Sequence, residues 1–252
     1  SSAASDVYKR QDAYCYIGTE KPNHDVVIVG WDDSYSKDNF NTDLEGDGAF
    51  ICQNSWGDNF GENGFFYISY YDTNIGTHNV VYTDIENTDN YDHIYQSDLC
   101  GWVGQLGYNK DSIYGANVFT AEGNETLKAA SFYATGKDSQ YELYVVRQFE
   151  DETSLEKMIP VASGKLGNAG YYTVDFNQGI EVDAGERYAV VLYIITPGSV
   201  HPMAIEYAAD EATENVDLDD GESYISANGS KWVSVDTVEK SNLCIKAFSD
   251  NR

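Results

Sequence analysis

Short apolar runs separated by turn-forming residues follow one another along the chain, and 3.6-residue periodicity is nearly absent. An apolar run of this length is typical of a strand in a packed core. The pattern predicts strands at 25–33, 49–53, 65–71, 79–83, 127–134, 141–149, 171–176, 188–195 and 243–248. Short strands at such spacing are typical of an all-β sandwich or barrel. We therefore predict a mainly β fold with a C-terminal β-sandwich.

A polar stretch divides the chain in two. Residues 86–97 (ENTDNYDHIYQS) have no apolar stripe, so we predict a linker there. It separates a first domain at 12–85 from a second at 98–252. Residues 1–11 (SSAASDVYKRQ) have no pattern that leads into the next strand, and we interpret them as a non-native, adapter-like segment. On this interpretation the natural chain extends upstream, and the lack of a visible signal peptide carries no information.

Charge excludes several classes of function. The 252 residues include 15 Lys and Arg against 42 Asp and Glu, which gives a net charge of −27. Binding to a nucleic-acid backbone or to an anionic membrane needs basic residues, so we predict neither partner. The sequence has no run of 18 apolar residues, and we predict no transmembrane segment. The acidic residues are spread along the chain, as expected of a solvated surface.

Two polar residues flank the first pair of predicted strands. His24 precedes the first strand, and Asn54 follows the second. If these strands are antiparallel neighbours joined by loop 34–48, Gly30 lies near Gly48, and His24 lies opposite Asn54. An Asn amide oxygen can fix the tautomer of an imidazole and leave its other nitrogen free for proton exchange. The spacing predicts the base and the orienting residue of a catalytic triad.

The order of motifs around this pair resembles the C-terminal half of a papain-like cysteine peptidase domain. His24 is followed by VVIVGW, then by QNSWG, the turn GENG and the strand FFYISY. The resemblance implies the antiparallel, barrel-like half of an α+β peptidase domain. It also implies peptide-bond hydrolysis by Cys-His-Asn acyl transfer, with His24 as general base, Asn54 as its orienting partner and Trp56 as a shield from water. Protein or peptide substrates, no cofactor, no metal, and an extracellular or cell-surface location in a bacterium follow from the same resemblance.

The chain contains no matching nucleophile. In the family, the catalytic Cys lies in a Q-G-x-C-G-S-C-W-type motif upstream of the His, and this chain has no such motif. Cys15 lacks the flanking Gly and Trp, and Cys52 is interpreted as a small buried hydrophobe. Cys100 and Cys244 either pair as a disulfide or remain free thiols. We expect the nucleophile in a missing N-terminal half, and no activity from this chain alone.

The second domain resembles, more loosely, the lectin-like β-sandwich that follows the peptidase domain in some gut-bacterial, especially clostridial, enzymes. The residues that carry this resemblance are YDH at 91–93, GW at 101–102, KAASF at 128–132 and GERYAV at 185–190. The resemblance makes carbohydrate a candidate second partner. Exposed aromatics such as Trp102, Trp232 or Tyr224 are suited to stacking on sugars, and packing in the core is their alternative role.

Two further alternatives stay open at this point. The chain as a whole is either part of an endopeptidase or a non-catalytic carbohydrate-binding or adhesive surface protein with a degenerate peptidase half. The acidic residues in NTDLEGDG at 41–48 alternate as they do in calcium loops. Because the Glu that closes an EF-hand loop and the flanking helices are missing, a solvated hairpin loop is the favoured interpretation.

Overall fold

The computed structural model describes residues 12–77 and 79–252. The adapter-like segment at 1–11 and His78 lie outside the described residues. Strands dominate the rest, and the chain divides into two compact units, the first ending at Val81 and the second beginning at Tyr82. The prediction of a mainly β fold is confirmed, since the helical segments are short.

The first unit contains one open four-stranded sheet. Its strands are β1 (Ala13–Tyr14), β2 (Val27–Asp32), β3 (Ala49–Gln53) and β4 (Phe65–Ser69). The order across the sheet is β1-β4-β3-β2, with β1 parallel to β4 and the other pairs antiparallel. A 3-10 turn, Lys37–Asn39, lies in the connection between β2 and β3. Among the described residues, β1 and β2 are the edges of this sheet, which does not close into a barrel.

Strand β2 is an apolar edge strand with little cover. Val27 is 60% exposed and Trp31 68% exposed, and Ile28 and Val29 are exposed as well. Edge strands of soluble proteins usually carry charged residues or Pro that prevent further pairing, and in VIVGWD only the last residue, Asp32, is charged. Strands that read as a continuous apolar run are normally covered on both faces. The composition of β2 is therefore that of a central strand rather than an edge strand.

The pairing of β2 with β3 differs from the predicted register. Gly30 pairs with Ile51, not with a residue near Gly48. The pairs Val27–Gln53 and Ile28–Cys52 are already displaced by two residues from the predicted register, and an irregularity between Ile28 and Gly30 adds one more. Such a bulge shifts the pairing of all residues that follow it in the strand. A continuous run of apolar residues does not indicate where a bulge will occur. The loop between the two strands begins one residue earlier than predicted, after Asp32, and ends before Ala49 as predicted.

A tight turn before β4 depends on Gly61. Its φ is +53°, and a Cβ added there would collide with the carbonyl oxygen of Phe65, which accepts a hydrogen bond from the backbone N–H of Glu62 at 2.9 Å. Gly57 also has a positive φ, +83°, but an added Cβ there would meet no atom within 4 Å. A side chain at either glycine would therefore strain the backbone, but only at Gly61 would it also collide with a neighbouring atom.

This difference predicts unequal effects of two matched substitutions. We expect Gly57→Ala to destabilise the first unit by about 1 kcal/mol through strain alone, and Gly61→Ala by about 2–3 kcal/mol. Hydrogen exchange of the β3 and β4 amides would measure both losses. Equal protection in the two variants would show that the turn tolerates the Cβ.

The second unit is a β-sandwich with a smaller additional sheet. The six-stranded sheet has the order β10-β9-β12-β7-β14-β15, the four-stranded sheet β11-β8-β17-β5, and the small sheet β16-β13-β6. All pairs in these sheets are antiparallel. The strands are β5 (His93–Tyr95), β6 (Gly104–Leu106), β7 (Ser112–Thr120), β8 (Glu125–Ala134), β9 (Ser139–Val146), β10 (Ile159–Leu166), β11 (Gly170–Val182), β12 (Arg187–Ile195), β13 (Met203–Glu206), β14 (Ser223–Ser226), β15 (Val233–Ser234), β16 (Asn242–Leu243) and β17 (Ile245–Asn251). A 3-10 segment, Glu152–Glu156, and a helical turn, α1 (Val235–Val238), complete the unit.

The core of the sandwich lies between its two larger sheets. Phe132 of β8 and Ile245 of β17 pack there against Leu192 and Ile194 of β12. The other face of β12 is also covered, because Ala189 and Val191 pack with Leu155 of the 3-10 segment. Burial on both faces explains why β12 reads as an uninterrupted apolar run.

Four local expectations differ from the structure or are decided by it. Residues 79–83 form no strand, and Val80 and Val81 are exposed. Strand β5 lies inside the segment 86–97 for which we predicted a linker. The predicted strand at 243–248 is divided at Cys244 between two sheets, because β16 pairs with β13 and β17 with β8. All four cysteines are free thiols, so Cys100 and Cys244 form no disulfide.

Candidate active site

His24 and Asn54 lie side by side at one end of the first sheet. Nε2 of His24 is 2.9 Å from Oδ1 of Asn54. Asn54 is buried directly after β3, and its backbone N–H donates to the carbonyl of Gly64 at 2.9 Å. His24 lies in the segment before β2, so both residues stand outside the paired strands. The hairpin connection brings them together although the predicted register was wrong.

A backbone donor defines the protonation of the His ring. The N–H of Ser55 donates to Oδ1 of Asn54 at 2.8 Å, so this side-chain atom must be the amide oxygen. An oxygen cannot donate, and Nε2 of His24 therefore carries the hydrogen between the two residues. Within the described residues, Nδ1 has no hydrogen-bond partner, which leaves its lone pair free to accept a proton. Sequence reasoning missed Ser55, because a backbone donor leaves no mark in the choice of side chain.

Trp56 covers one side of the imidazole. The ring centroids of His24 and Trp56 are 5.2 Å apart at an interplanar angle of 37°. Trp56 is held in turn by edge contact with Phe60, which packs edge-on against Phe66 of β4. At 43% exposure Trp56 is not a core residue, so its aromatic support is what holds it over the His ring.

A cavity of about 280 Å³ opens beside the pair. The residues that line it include polar ones, such as His24 and Asn54, and apolar ones, such as Ile68 and Ile75. An apolar cleft with a few polar groups at one end is typical of a binding site. It can hold an apolar side chain while the His–Asn pair acts on a neighbouring polar group.

The two thiols of the first unit are unsuited to nucleophilic attack. Cys15 and Cys52 are both buried. Burial raises the pKa of Cys15 to about 11, although a hydrogen bond with Ser69 opposes the shift. Burial also raises the pKa of Cys52 to about 12. Because the thiolate is the nucleophilic form, both cysteines are inert at neutral pH.

The other sites that the sequence suggested have fewer features of a binding or catalytic site. Lys37 makes two contacts with the loop at 41–48: its ammonium donates to the carbonyl of Leu44 at 3.0 Å, and its backbone N–H donates to Asp47. The positive charge at this loop is therefore that of a lysine side chain. No group of three or more metal-binding side chains occurs among the described residues. Trp232 and Tyr224 pack against a buried cluster, whereas Trp102 is 37% exposed beside the ring of Tyr133.

Two family models match the chain in sequence. The model for the lectin like domain matches residues 94–249, and the model for the papain family cysteine protease matches residues 3–85. The chain belongs to the lectin-like domain family, and it joins that domain to a papain family cysteine protease segment. A search of curated proteins gives no significant match.

Two solved structures resemble the chain over nearly its whole length. One is the clostridial cysteine protease Cwp84 after propeptide cleavage, with a TM-score of 0.82 and 28% identity; the match covers 99% of this chain and 63% of that one. The other contains the cysteine protease and lectin-like domains of Cwp84, a surface layer associated protein of Clostridium difficile, with a TM-score of 0.77 and 26% identity over 99% of this chain and 57% of that one. The chain thus spans less than two thirds of the length of either.

Among the described residues, no helix is long and apolar enough to span a bilayer.

Proposed function

We propose that this chain is the His-bearing part of a papain-like cysteine endopeptidase that hydrolyses peptide bonds by acyl transfer. The observation that carries the proposal is the 2.9 Å contact between His24 and Asn54, with Nδ1 of the ring left free. His24 is the general base, and Asn54 is the residue that orients it. The match to the papain family model over residues 3–85 supports the same assignment.

The two residues divide the work of proton transfer. Nδ1 of His24 takes the proton from the attacking thiol and later gives it to the leaving amine of the substrate. Asn54 keeps the hydrogen on Nε2 and holds the orientation of the ring. Nδ1, with its free lone pair, therefore faces the attacking thiol. Trp56 covers this hydrogen bond on one side and reduces the access of water, which would compete for the amide oxygen.

The nucleophile of this mechanism lies outside the chain. Both cysteines of the first unit are buried, with raised pKa values. The chain spans only 63% of the matched clostridial protease, so that protein has room for further catalytic residues. The exposed apolar strand β2 is a surface on which a further part of a peptidase domain can pack.

Location and partners follow from the similar proteins. Cwp84 is described as a surface layer associated protein, and we propose a cell-surface or secreted location for this protein too. Proteins or peptides are the proposed substrates. Carbohydrate is a proposed further partner of the lectin-like domain, and Trp102 is the exposed aromatic with which it would stack.

Activity with and without the upstream sequence tests the proposal. The 252-residue chain should not cleave casein, whereas the same chain joined to the sequence encoded directly upstream should cleave it. A thiol-directed epoxide should block that activity by labelling an upstream cysteine. If the extended protein folds and binds glycans but has no peptidase activity, the alternative of a non-catalytic carbohydrate-binding or adhesive surface protein replaces this one.

A further inference from the structure

A lysine and an aspartate meet in the second unit, on the face of β17 that points away from the core between the two larger sheets. Nζ of Lys246 in β17 lies 2.6 Å from Oδ1 of Asp98, and it also donates to the backbone carbonyl of Asp98 at 3.2 Å. Asp98 is 1% exposed. At 2.6 Å the amine and the carboxyl group are in direct contact. The pair joins the segment after the first strand of the sandwich to its last strand.

The surroundings disfavour an ion pair at this place. A second carboxylate, Glu206, is also buried, and it accepts hydrogen bonds from the backbone of Cys100 at 2.5 Å and from Nδ2 of Asn242 at 2.9 Å. Burial raises the pKa of Asp98, with a smaller contribution from Glu206, and Lys246 opposes the shift only in part. Two charges withdrawn from water cost several kcal/mol each unless further hydrogen bonds satisfy them. Proton transfer from the ammonium to the carboxylate would give a neutral amine next to a neutral acid.

We propose that Lys246 and Asp98 condense to an intramolecular isopeptide bond. Nζ of Lys246 attacks Cγ of Asp98, the Nζ–Cγ bond forms, a Cγ–O bond breaks, and one water molecule leaves. An ammonium and a carboxylate become an amide and water, so the reaction needs no oxidant, reductant or other reactant. The product replaces two buried charges by one neutral amide.

Contact and confinement make this reaction feasible without an enzyme. Groups held in reacting geometry behave as if present at about 10⁵–10⁸ M, and the 2.6 Å contact between Nζ and Oδ1 keeps the amine next to the carboxyl group that it would attack. Proton transfers accompany the attack and the loss of water, and Glu206 is a second buried carboxylate whose charge acts on Asp98. The bond would tie residues 98 and 246 together and so close most of the sandwich into one covalent loop.

The chain contains a matched pair for comparison. Lys128 in β8 and Asp250 in β17 belong to two adjacent strands of the same sheet, with Nζ 3.7 Å from Oδ2. Their side chains are 47% and 36% exposed, so water solvates both charges. The same residue types are thus present at the surface, where no condensation is expected.

Intact-mass spectrometry of the purified 252-residue protein tests the proposal. We expect a mass lower than the sequence mass by one water molecule, and tandem spectra of proteolytic peptides should contain a branched peptide that joins Asp98 to Lys246. Lys246→Arg should have its full sequence mass and a lower melting temperature. Lys128→Arg should keep the loss of water.

Two results would overturn the proposal. One is folded wild-type protein with its full sequence mass. The other is a loss of water that persists in Lys246→Arg, since this would indicate a succinimide or another dehydration rather than a bond to Lys246. The branched peptide is sought in the wild-type protein, so a folding defect of Lys246→Arg does not affect the conclusion.

Discussion

Replacing His24 by alanine in the protein that includes its upstream sequence should lower kcat by about 10²–10⁴-fold, the range typical of general acid–base catalysis. The loss arises because His24 is the only imidazole among the described residues that line the cavity. Steady-state hydrolysis of a peptide substrate measures the effect. KM should change little, because His24 acts on the proton and not on substrate affinity.

Asn54 provides a graded comparison for this experiment. Asn54→Ala should lower kcat less than His24→Ala, since the base remains but its ring is no longer held through Nε2. The pH profile of kcat/KM should also move in Asn54→Ala, which a merely structural residue would not cause. His201→Ala, a substitution in the second unit, is the control and should leave kcat unchanged. A His24→Ala variant as active as the wild type would remove this residue from the mechanism.

The largest stability effect that we expect comes from Glu125→Ala in the sandwich. The carboxylate of Glu125 is fully buried and accepts hydrogen bonds from the Tyr95 hydroxyl at 2.7 and 2.8 Å, the Ser249 hydroxyl at 2.5 Å and the Gly123 backbone at 2.7 Å. Alanine leaves these donors without an acceptor. Because each buried unpaired donor costs about 1–3 kcal/mol, the total loss should be about 3 kcal/mol or more.

Urea denaturation of the wild type and the variant measures this loss as a change in midpoint. Glu122→Ala is the matched control, because the side chain of Glu122 is 73% exposed and only faces His93. It should change stability by no more than about 0.5 kcal/mol. Equal midpoints in the two variants would show that the network around Glu125 adds nothing to stability.

The same carboxylate should make stability depend on acid pH. Burial acts to raise the pKa of Glu125, but hydrogen bonds from Ser249, Tyr95 and Gly123 outweigh it and lower the pKa below the ordinary value of 4.5. A lowered folded-state pKa stabilises the protein above the unfolded value, and this stability is lost as pH falls through the folded value. Wild-type stability should therefore decrease below about pH 4.5 more steeply than that of Glu125→Ala.

The apolar pattern located best the strands that are buried in a sheet. β3 and β12 are examples, since their runs coincide with the observed strands to within one residue. The pattern missed short strands such as β6 and β14, and it also missed β7 and β10, in which Gly, Asn, Ser or Pro interrupt the apolar residues. It wrongly predicted a strand at 79–83, because apolar residues there have no neighbouring strand to pair with.

For the candidate site, the sequence was sufficient to select the residues but not their geometry. His24 and Asn54 stand out because motif order and a hairpin connection place them at one sheet end. The bulge in β2 and the backbone donor of Ser55 depend on backbone positions that side-chain identity does not encode, and it is the Ser55 donor that decides the ring's tautomer.

The sequence by itself determined the strand content, the two-part organisation and the His–Asn pair, since all three depend on local pattern and short loops. Only the tertiary structure decided that Lys246 meets Asp98, 148 residues away along the chain, and that Glu125 is surrounded by donors from three segments. Neither lysine nor aspartate is unusual in its local sequence. Their contact arises because the last strand of the sandwich pairs beside the first, and burial there turns an ordinary pair of charges into a chemically distinctive one.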